Sequence, residues 1–84
     1  MEELLRIIEE SSKEEESLKA ELEEVIKREE VLIAVYQTLV GSDADDIEEE
    51  LREIRTERGN IVHKLHTIKS RIKTLESLAK AKES

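Results

Sequence analysis

Apolar side chains recur at alternating intervals of three and four residues along almost the whole chain, and this heptad spacing most constrains the fold. One stripe of an α-helix repeats at that spacing, whereas a β-strand needs strict alternation. The chain has no proline to interrupt a helix, and its two glycines are Gly41 and Gly59. The sequence therefore predicts long helices. The regular placement of Leu, Ile and Val also argues against disorder, although 43% of the residues are charged.

The strongest helix-breaking signal lies near the midpoint, at residues 41–43. Gly41 follows two apolar residues, where a C-terminal glycine cap is expected. Ser42 and Asp45 are spaced as in a capping box at the start of a second helix. We therefore predict one helical-hairpin domain over residues 1–84.

The predicted helices span residues 2–40 and 44–82, joined by a turn at 41–43. The serine-rich and glutamate-rich part of the first helix is its weakest stretch, because polar residues replace apolar ones there. Ser11 or Ser12 can restart a helix, so a break near residues 11–13 is the alternative to one continuous helix.

A turn this short makes the two helices antiparallel, and their heptad stripes then meet in one seam. The predicted fold class is all-α: a long antiparallel helical hairpin, or coiled coil, that dimerises into a four-helix bundle. The apolar side chains predicted for the hairpin seam are Leu18, Leu22, Val25, Leu32, Leu39, Leu51, Ile54, Ile61, Leu65, Ile68, Ile72 and Leu75.

Charged residues provide an independent check on the antiparallel pairing. Glu29 and Arg58 occupy seam positions one layer apart, within reach of each other. Opposite charges flank the seam in three predicted cross-helix pairs, which are Glu14–Arg71, Glu21–Lys64 and Arg28–Glu57. Such pairs set the orientation and register of coiled coils.

A second apolar stripe beside the seam predicts association, because a two-helix seam buries a thin core. The residues predicted for this dimer or partner face are Leu5, Ile26, Ile33, Val40 and Val62. We expect a homodimer, with another helical protein as the alternative partner. A stretch around Ser11 and Glu15, facing Ile68 and Ile72, is predicted to be poorly filled and to accept a further helix.

Nucleic-acid binding is the main alternative function. The basic side chains of the C-terminal half predicted for such a face are Lys64, Lys69, Lys73, Lys80 and Lys82. The architecture resembles dimeric helical hairpins that bind RNA, although no motif is shared. A net charge of −8 and a single aromatic residue, Tyr36, disfavour this alternative.

Catalysis and metal binding find little support in the residues present. His63 and His66 lie on the predicted solvent side, without further ligands. The acidic tip at residues 43–46 resembles the acidic fingers of bacterial transcription factors that enter the polymerase secondary channel, which implies a binding tip. The glutamate runs at 14–16 and 48–50 resemble those of all-α nucleotide pyrophosphohydrolases, which implies bound magnesium, but the helical phase turns most of them away from the seam.

We therefore interpret the chain as a non-enzymatic coiled-coil module for protein interaction, without cofactor, metal or catalytic residues. An acidic-tipped finger or a carboxylate-based metal-dependent enzyme is the disfavoured alternative. The chain has no cysteine, no apolar run of membrane-spanning length and no signal-peptide pattern. These features predict a cytoplasmic, intracellular protein that does not bind membranes.

Overall fold

Two long α-helices form an extended antiparallel hairpin, as the heptad spacing predicts. The structure is a computed structural model that describes residues 2–39 and 41–83, with the backbone alone for Ser42. α1 spans Glu2–Tyr36 and α2 spans Ser42–Glu83. The Cα trace measures 65 × 14 × 14 Å, so the hairpin is a thin rod. The predicted all-α hairpin is confirmed.

The core of the rod is a single line of side chains between α1 and α2. Its buried apolar members are Leu18, Val25, Leu51, Ile54, Ile61, Leu65 and Ile68. Leu22, Leu32 and Ile72 are half-buried and pack against this line, and Leu39 and Leu75 are half-buried nearer the two ends of the rod. Ten of the twelve apolar residues predicted for the seam are thus buried or pack against the buried line, with the deepest burial in the middle of the rod, while the interface position of Leu39 and Leu75 stays a prediction.

The turn between the helices is longer than predicted, because α1 ends at Tyr36 and not at residue 40. The Thr38 and Leu39 amides donate to carbonyls three residues back, and the Thr38 hydroxyl donates to the Val35 carbonyl at 2.7 Å. These bonds replace the helical pattern with a tighter one. The apolar phase continued past this point in the sequence, which is why the predicted end was wrong.

Gly41 is the residue that caps the N-terminus of α2, and it does not cap α1. Its φ of +75° is the left-handed conformation that glycine adopts without strain. Its carbonyl accepts hydrogen bonds from the Ala44 and Asp45 amides, at 3.1 and 3.4 Å, so Gly41 holds the N-cap position. α2 therefore begins at Ser42, two residues before the predicted start at 44. The proposed capping side chain of Ser42 lies outside the described part of the structure.

The serine-rich stretch of α1 is not broken, and part of it is buried. α1 continues through residues 11–13, and Ser11 is only 4% exposed. Ile68, which was expected to line a poorly filled space, is also 4% exposed. These two residues therefore leave no open space, whereas Glu15 and Ile72 of the same stretch are half-buried, so a place for a further helix stays a prediction there. α2 is likewise continuous through Gly59.

Candidate interaction surfaces

A charged cluster interrupts the apolar seam in the turn half of the rod. The Glu29 side chain is 8% exposed and accepts a hydrogen bond from Arg55 Nε at 3.1 Å and another from Arg58 Nη1. The two arginines are partly exposed, so their outer atoms still reach water. The predicted pair of Glu29 and Arg58 is brought together. Arg55 was missed as a partner because it lies beside the seam and reaches in with a long side chain.

Ion pairs across the seam are fewer than the sequence predicted. Arg28 Nη2 donates to both carboxylate oxygens of Glu57, at 3.2 and 3.3 Å. Among the described residues, Glu14 and Arg71 form no ion pair within 4 Å, and neither do Glu21 and Lys64. These exposed side chains extend into solvent, where an isolated pair contributes little to stability. They remain available to charges outside the hairpin.

The two long sides of the rod differ in what they carry. We call the side with Arg28 and Glu57 the groove side, because a groove lies on it, and we call the side with Ile26 and Arg55 the opposite side. By helical phase, the groove side presents Ile7, Glu14, Glu21, Arg28 and Val35 of α1 and Glu50, Glu57, Lys64, Arg71 and Leu78 of α2. The opposite side presents Leu5, Ser12, Lys19, Ile26 and Ile33 of α1 and Glu48, Arg55, Val62, Lys69 and Glu76 of α2.

A groove of about 530 Å³ lies on the groove side in the turn half. Its apolar lining comes from Val31, Leu32 and Ile54, and Val31 is 62% exposed. Basic side chains of α1 border one edge of the groove, and Glu50, Glu53 and Glu57 of α2 border the other. Sequence analysis missed this groove, because Val31 lies away from the seam and looks like an isolated exposed valine.

The opposite side, predicted as the dimer face, alternates apolar and charged residues. Leu5, Ile26 and Val62 are 52%, 37% and 49% exposed, and Ile33 is half-buried. Val40 lies outside the described residues. The neighbouring charges of α2 bind within the hairpin, since Arg55 contacts Glu29 and Glu48 accepts a hydrogen bond from the Tyr36 hydroxyl at 3.0 Å. This face therefore stays a prediction, on a surface with few contiguous apolar neighbours.

The basic residues of the C-terminal half spread around α2. Lys64, Lys69, Lys73, Lys80 and Lys82 are all exposed. By helical phase, Lys64 lies on the groove side and Lys69 on the opposite side, while Lys73 and Lys80 point outward from α2. The five lysines therefore do not line up as one stripe along a nucleic-acid backbone.

The described residues were compared with the arrangements that metal ions require. No cluster of three or more His, Cys, Asp or Glu able to hold a metal occurs there. His63 and His66 are both exposed. The hydrogen bond and negative charge of Glu48, with a smaller contribution from Asp45, raise the pKa of Tyr36 above its ordinary value. Neither helix, within the described ranges, has an apolar stretch long enough to cross a bilayer.

The groove and the unpaired charges along its side are thus the most developed surface of the rod. No protein-family model, curated protein or solved structure matches this chain.

Proposed function

We propose that the hairpin is a non-enzymatic assembly module that associates with a second copy of itself to form a four-helix bundle. The observation that carries the proposal is the large surface of the rod. The chain exposes 6481 Å², whereas a compact protein of 9.7 kDa exposes about 5,100 Å². The excess surface includes large apolar side chains along the rod, among them Leu5, Val31, Val62 and Leu78.

A thin core supports the same proposal. Buried apolar residues run from Leu18 to Val25 in α1 and from Leu51 to Ile68 in α2, so both ends of the rod rely on half-buried contacts. Small chains with limited cores commonly gain stability through oligomerisation. Closed two-fold dimers are the commonest form of homo-oligomer, and two hairpins packed side by side make a four-helix bundle.

Sedimentation equilibrium over a wide concentration range tests this proposal. We expect the mass to rise from that of one 9.7 kDa chain to twice that value and then to stay constant. A monomer at every concentration contradicts self-association. Growth beyond two chains contradicts the closed four-helix bundle.

A further inference from the structure

We infer that the second copy packs on the groove side, with the two hairpins antiparallel, so that the turn end of each lies against the open end of the other. This inference rests on the proposed self-association and adds its surface and its orientation. The occupant of the groove is the open half of a second copy of this chain.

The groove is complementary to a partner surface with apolar groups and charges of opposite sign at matching places. Its apolar lining is bordered by acidic residues on α2 and by Lys27 and Arg28 on α1. Of the acidic ones, Glu50 and Glu53 form no ion pair within the described hairpin. A fitting partner therefore brings basic groups over α2, acidic groups over α1 and apolar groups between them.

The open half of the groove side has these groups in this arrangement. On α2 it carries Arg71, which has no ion-pair partner among the described residues, and Leu78, which is 50% exposed. On α1 it carries Glu14 and the partly exposed Ile7. The chain thus holds both halves of a complementary pair of surfaces, at opposite ends of the same side.

An antiparallel two-fold arrangement brings the two halves into contact. In this arrangement the midpoints of α2 (Ser42–Glu83) in the two copies lie side by side. Residues of α2 then face each other across the interface if their numbers add up to about 125. Arg71 of one copy then lies opposite Glu53 of the other. The cross-helix contacts of the hairpin join residues whose numbers add up to about 84 or 85, so the corresponding value for α1 is about 44. Glu14 of one copy then lies within one helical turn of Arg28 of the other, and Ile7 within one turn of Val35. Each of these contacts occurs twice.

A parallel arrangement fits the charge distribution less well. Residues 21–58, which form the turn half, carry five basic and thirteen acidic side chains, a net charge of −8, whereas the rest of the chain is neutral. Parallel hairpins bring two such halves together. Antiparallel hairpins place each beside a neutral half with a basic α2, which removes most of that repulsion.

The opposite side is a poorer surface for the same antiparallel packing. There the same register sets Arg55 against Lys69 and Glu48 against Glu76, which are pairs of like charge. The groove side is therefore the one whose charges and apolar residues both match a second copy. The excess of surface over a compact protein also exceeds the roughly 800 Å² that each partner buries in a standard interface.

Two substitutions matched in exposure test the surface. Val35 on the groove side is 38% exposed, and Ile26 on the opposite side is 37% exposed. We expect Val35→Glu to raise the dimer dissociation constant about 100-fold and Ile26→Glu to change it less than about threefold, with circular dichroism confirming that both variants stay helical. The reverse ranking places the interface on the opposite side and overturns the inference.

A charge swap tests the orientation. Glu53→Lys and Arg71→Glu are each expected to weaken dimerisation about tenfold, and the double variant to recover most of the wild-type affinity. Glu53 and Arg71 lie about 27 Å apart along one helix, so direct rescue requires contact between antiparallel copies. Additive losses in the double variant contradict the antiparallel contact.

A distance between spin labels tests the orientation independently. The chain has no cysteine of its own, so a single introduced cysteine can be labelled selectively. Spin labels on Asp43→Cys, at the turn, are expected about 60 Å apart in an antiparallel dimer and roughly 20 Å apart in a parallel one. The short distance overturns the inference while leaving the proposed self-association intact. A wild-type chain that stays monomeric overturns the proposed function itself.

Discussion

Glu29 is a carboxylate held by two arginines in a mostly apolar seam. Arg55 and Arg58 satisfy its oxygens, so the cluster costs less than an unpaired buried charge. Even a well-paired buried cluster often stabilises a fold less than apolar residues of similar size, because desolvation offsets the attraction. Polar groups in a seam do, however, favour one register over its alternatives.

Replacing the seam pair by leucine tests this view of the cluster. We expect Glu29→Leu with Arg58→Leu to increase the free energy of unfolding by about 1–2 kcal/mol, measured by urea denaturation. The oligomeric state should become less defined, with several species in sedimentation velocity. The control is Glu9→Leu with Lys13→Leu, an exposed pair at 3.6 Å, which should change stability by no more than about 0.5 kcal/mol. A large loss of stability with one unchanged oligomeric state contradicts the prediction.

Tyr36 links the end of α1 to the start of α2 through Glu48. The carboxylate accepts its hydroxyl proton in a hydrogen bond and opposes the phenolate by charge, so the pKa of Tyr36 in the folded chain lies above its ordinary value of 10.0. A pKa that is raised on folding means that this contact stabilises the fold below pH 10. That stabilisation is lost as the pH rises through the pKa of the folded state.

The absence of any other aromatic residue makes this prediction easy to measure. Absorbance at 295 nm should follow Tyr36 alone, with a titration midpoint above pH 10 in the folded chain. Glu48→Gln removes the charge but retains an acceptor, so the midpoint should move down toward the ordinary value. Glu49→Gln, one residue further along the helix, is the control and should leave the midpoint unchanged. An identical midpoint in Glu48→Gln and wild type contradicts the contribution of the Glu48 charge, and a wild-type midpoint at the ordinary value of 10.0 contradicts the contact itself.

Contacts at the residue scale were only partly predictable from the sequence. Heptad phase was enough to place Glu29 and Arg58 in neighbouring layers, because backbone geometry fixes where their Cβ atoms lie. The same phase could not predict that Arg55 reaches into the seam, since that depends on the rotamer of a long side chain. Tyr36 and Glu48 lie at matching levels of an antiparallel hairpin, so a complete list of level pairs would have included them.

At the scale of the elements, the two glycines contribute in opposite ways. Gly41 has a φ of +75°, whereas Gly59 lies inside the continuous α2, where a Cβ would meet no atom within 4 Å beyond the neighbouring residues and the backbone of its own helix. A side chain is strained in the first position and gains helix propensity in the second. The position of the glycine within the element thus decides whether replacement by alanine stabilises or destabilises the fold.

Alanine at each glycine makes a matched pair of experiments. Gly59→Ala should raise the free energy of unfolding by about 1 kcal/mol, and Gly41→Ala should lower it by about 1–2 kcal/mol. Thermal or urea unfolding followed by circular dichroism measures both. A destabilised Gly59→Ala variant shows that α2 needs local flexibility at this point, which contradicts the continuous rigid helix.

The ends of the helices show where element prediction reaches its limit. Apolar spacing runs unbroken through Leu39, so the sequence predicts a helix to residue 40. The structure ends α1 at Tyr36 because the Thr38 hydroxyl and tighter backbone bonds compete with the helical pattern. A few such bonds, each of modest strength, determine a helix terminus, while many side chains together determine the existence of the helix.

At the scale of the whole molecule, the uneven distribution of charge dominates. The acidic turn half and the neutral open half were both readable from the sequence once the hairpin was recognised. The groove was not readable, because it depends on how far Val31 and Ile54 are left uncovered by neighbouring side chains. Fold class therefore followed from periodicity, whereas the groove depends on how individual side chains pack in three dimensions.

This imbalance predicts an unusual response of stability to salt. Repulsion within the turn half destabilises the folded chain, and salt screens it over a Debye length of about 8 Å at physiological ionic strength. The Glu29 carboxylate is largely shielded from solvent, so its ion pairs with Arg55 and Arg58 should be affected less. We therefore expect the melting temperature of the monomer, at low micromolar concentration, to rise by about 5 °C between roughly 0.02 and 0.5 M NaCl.

Neutralising two acidic residues in either half of the rod tests whether the turn half is the source of the salt response. Glu30→Gln with Glu49→Gln lies in the acidic half, and it should raise the melting temperature at low salt and reduce the further gain from added salt. Glu16→Gln with Glu76→Gln removes the same charge from the neutral half and should leave the salt response near that of wild type. Equal effects of the two variants mean that total charge matters and its location does not. A melting temperature that falls with salt means that attraction across the seam outweighs repulsion in the turn half.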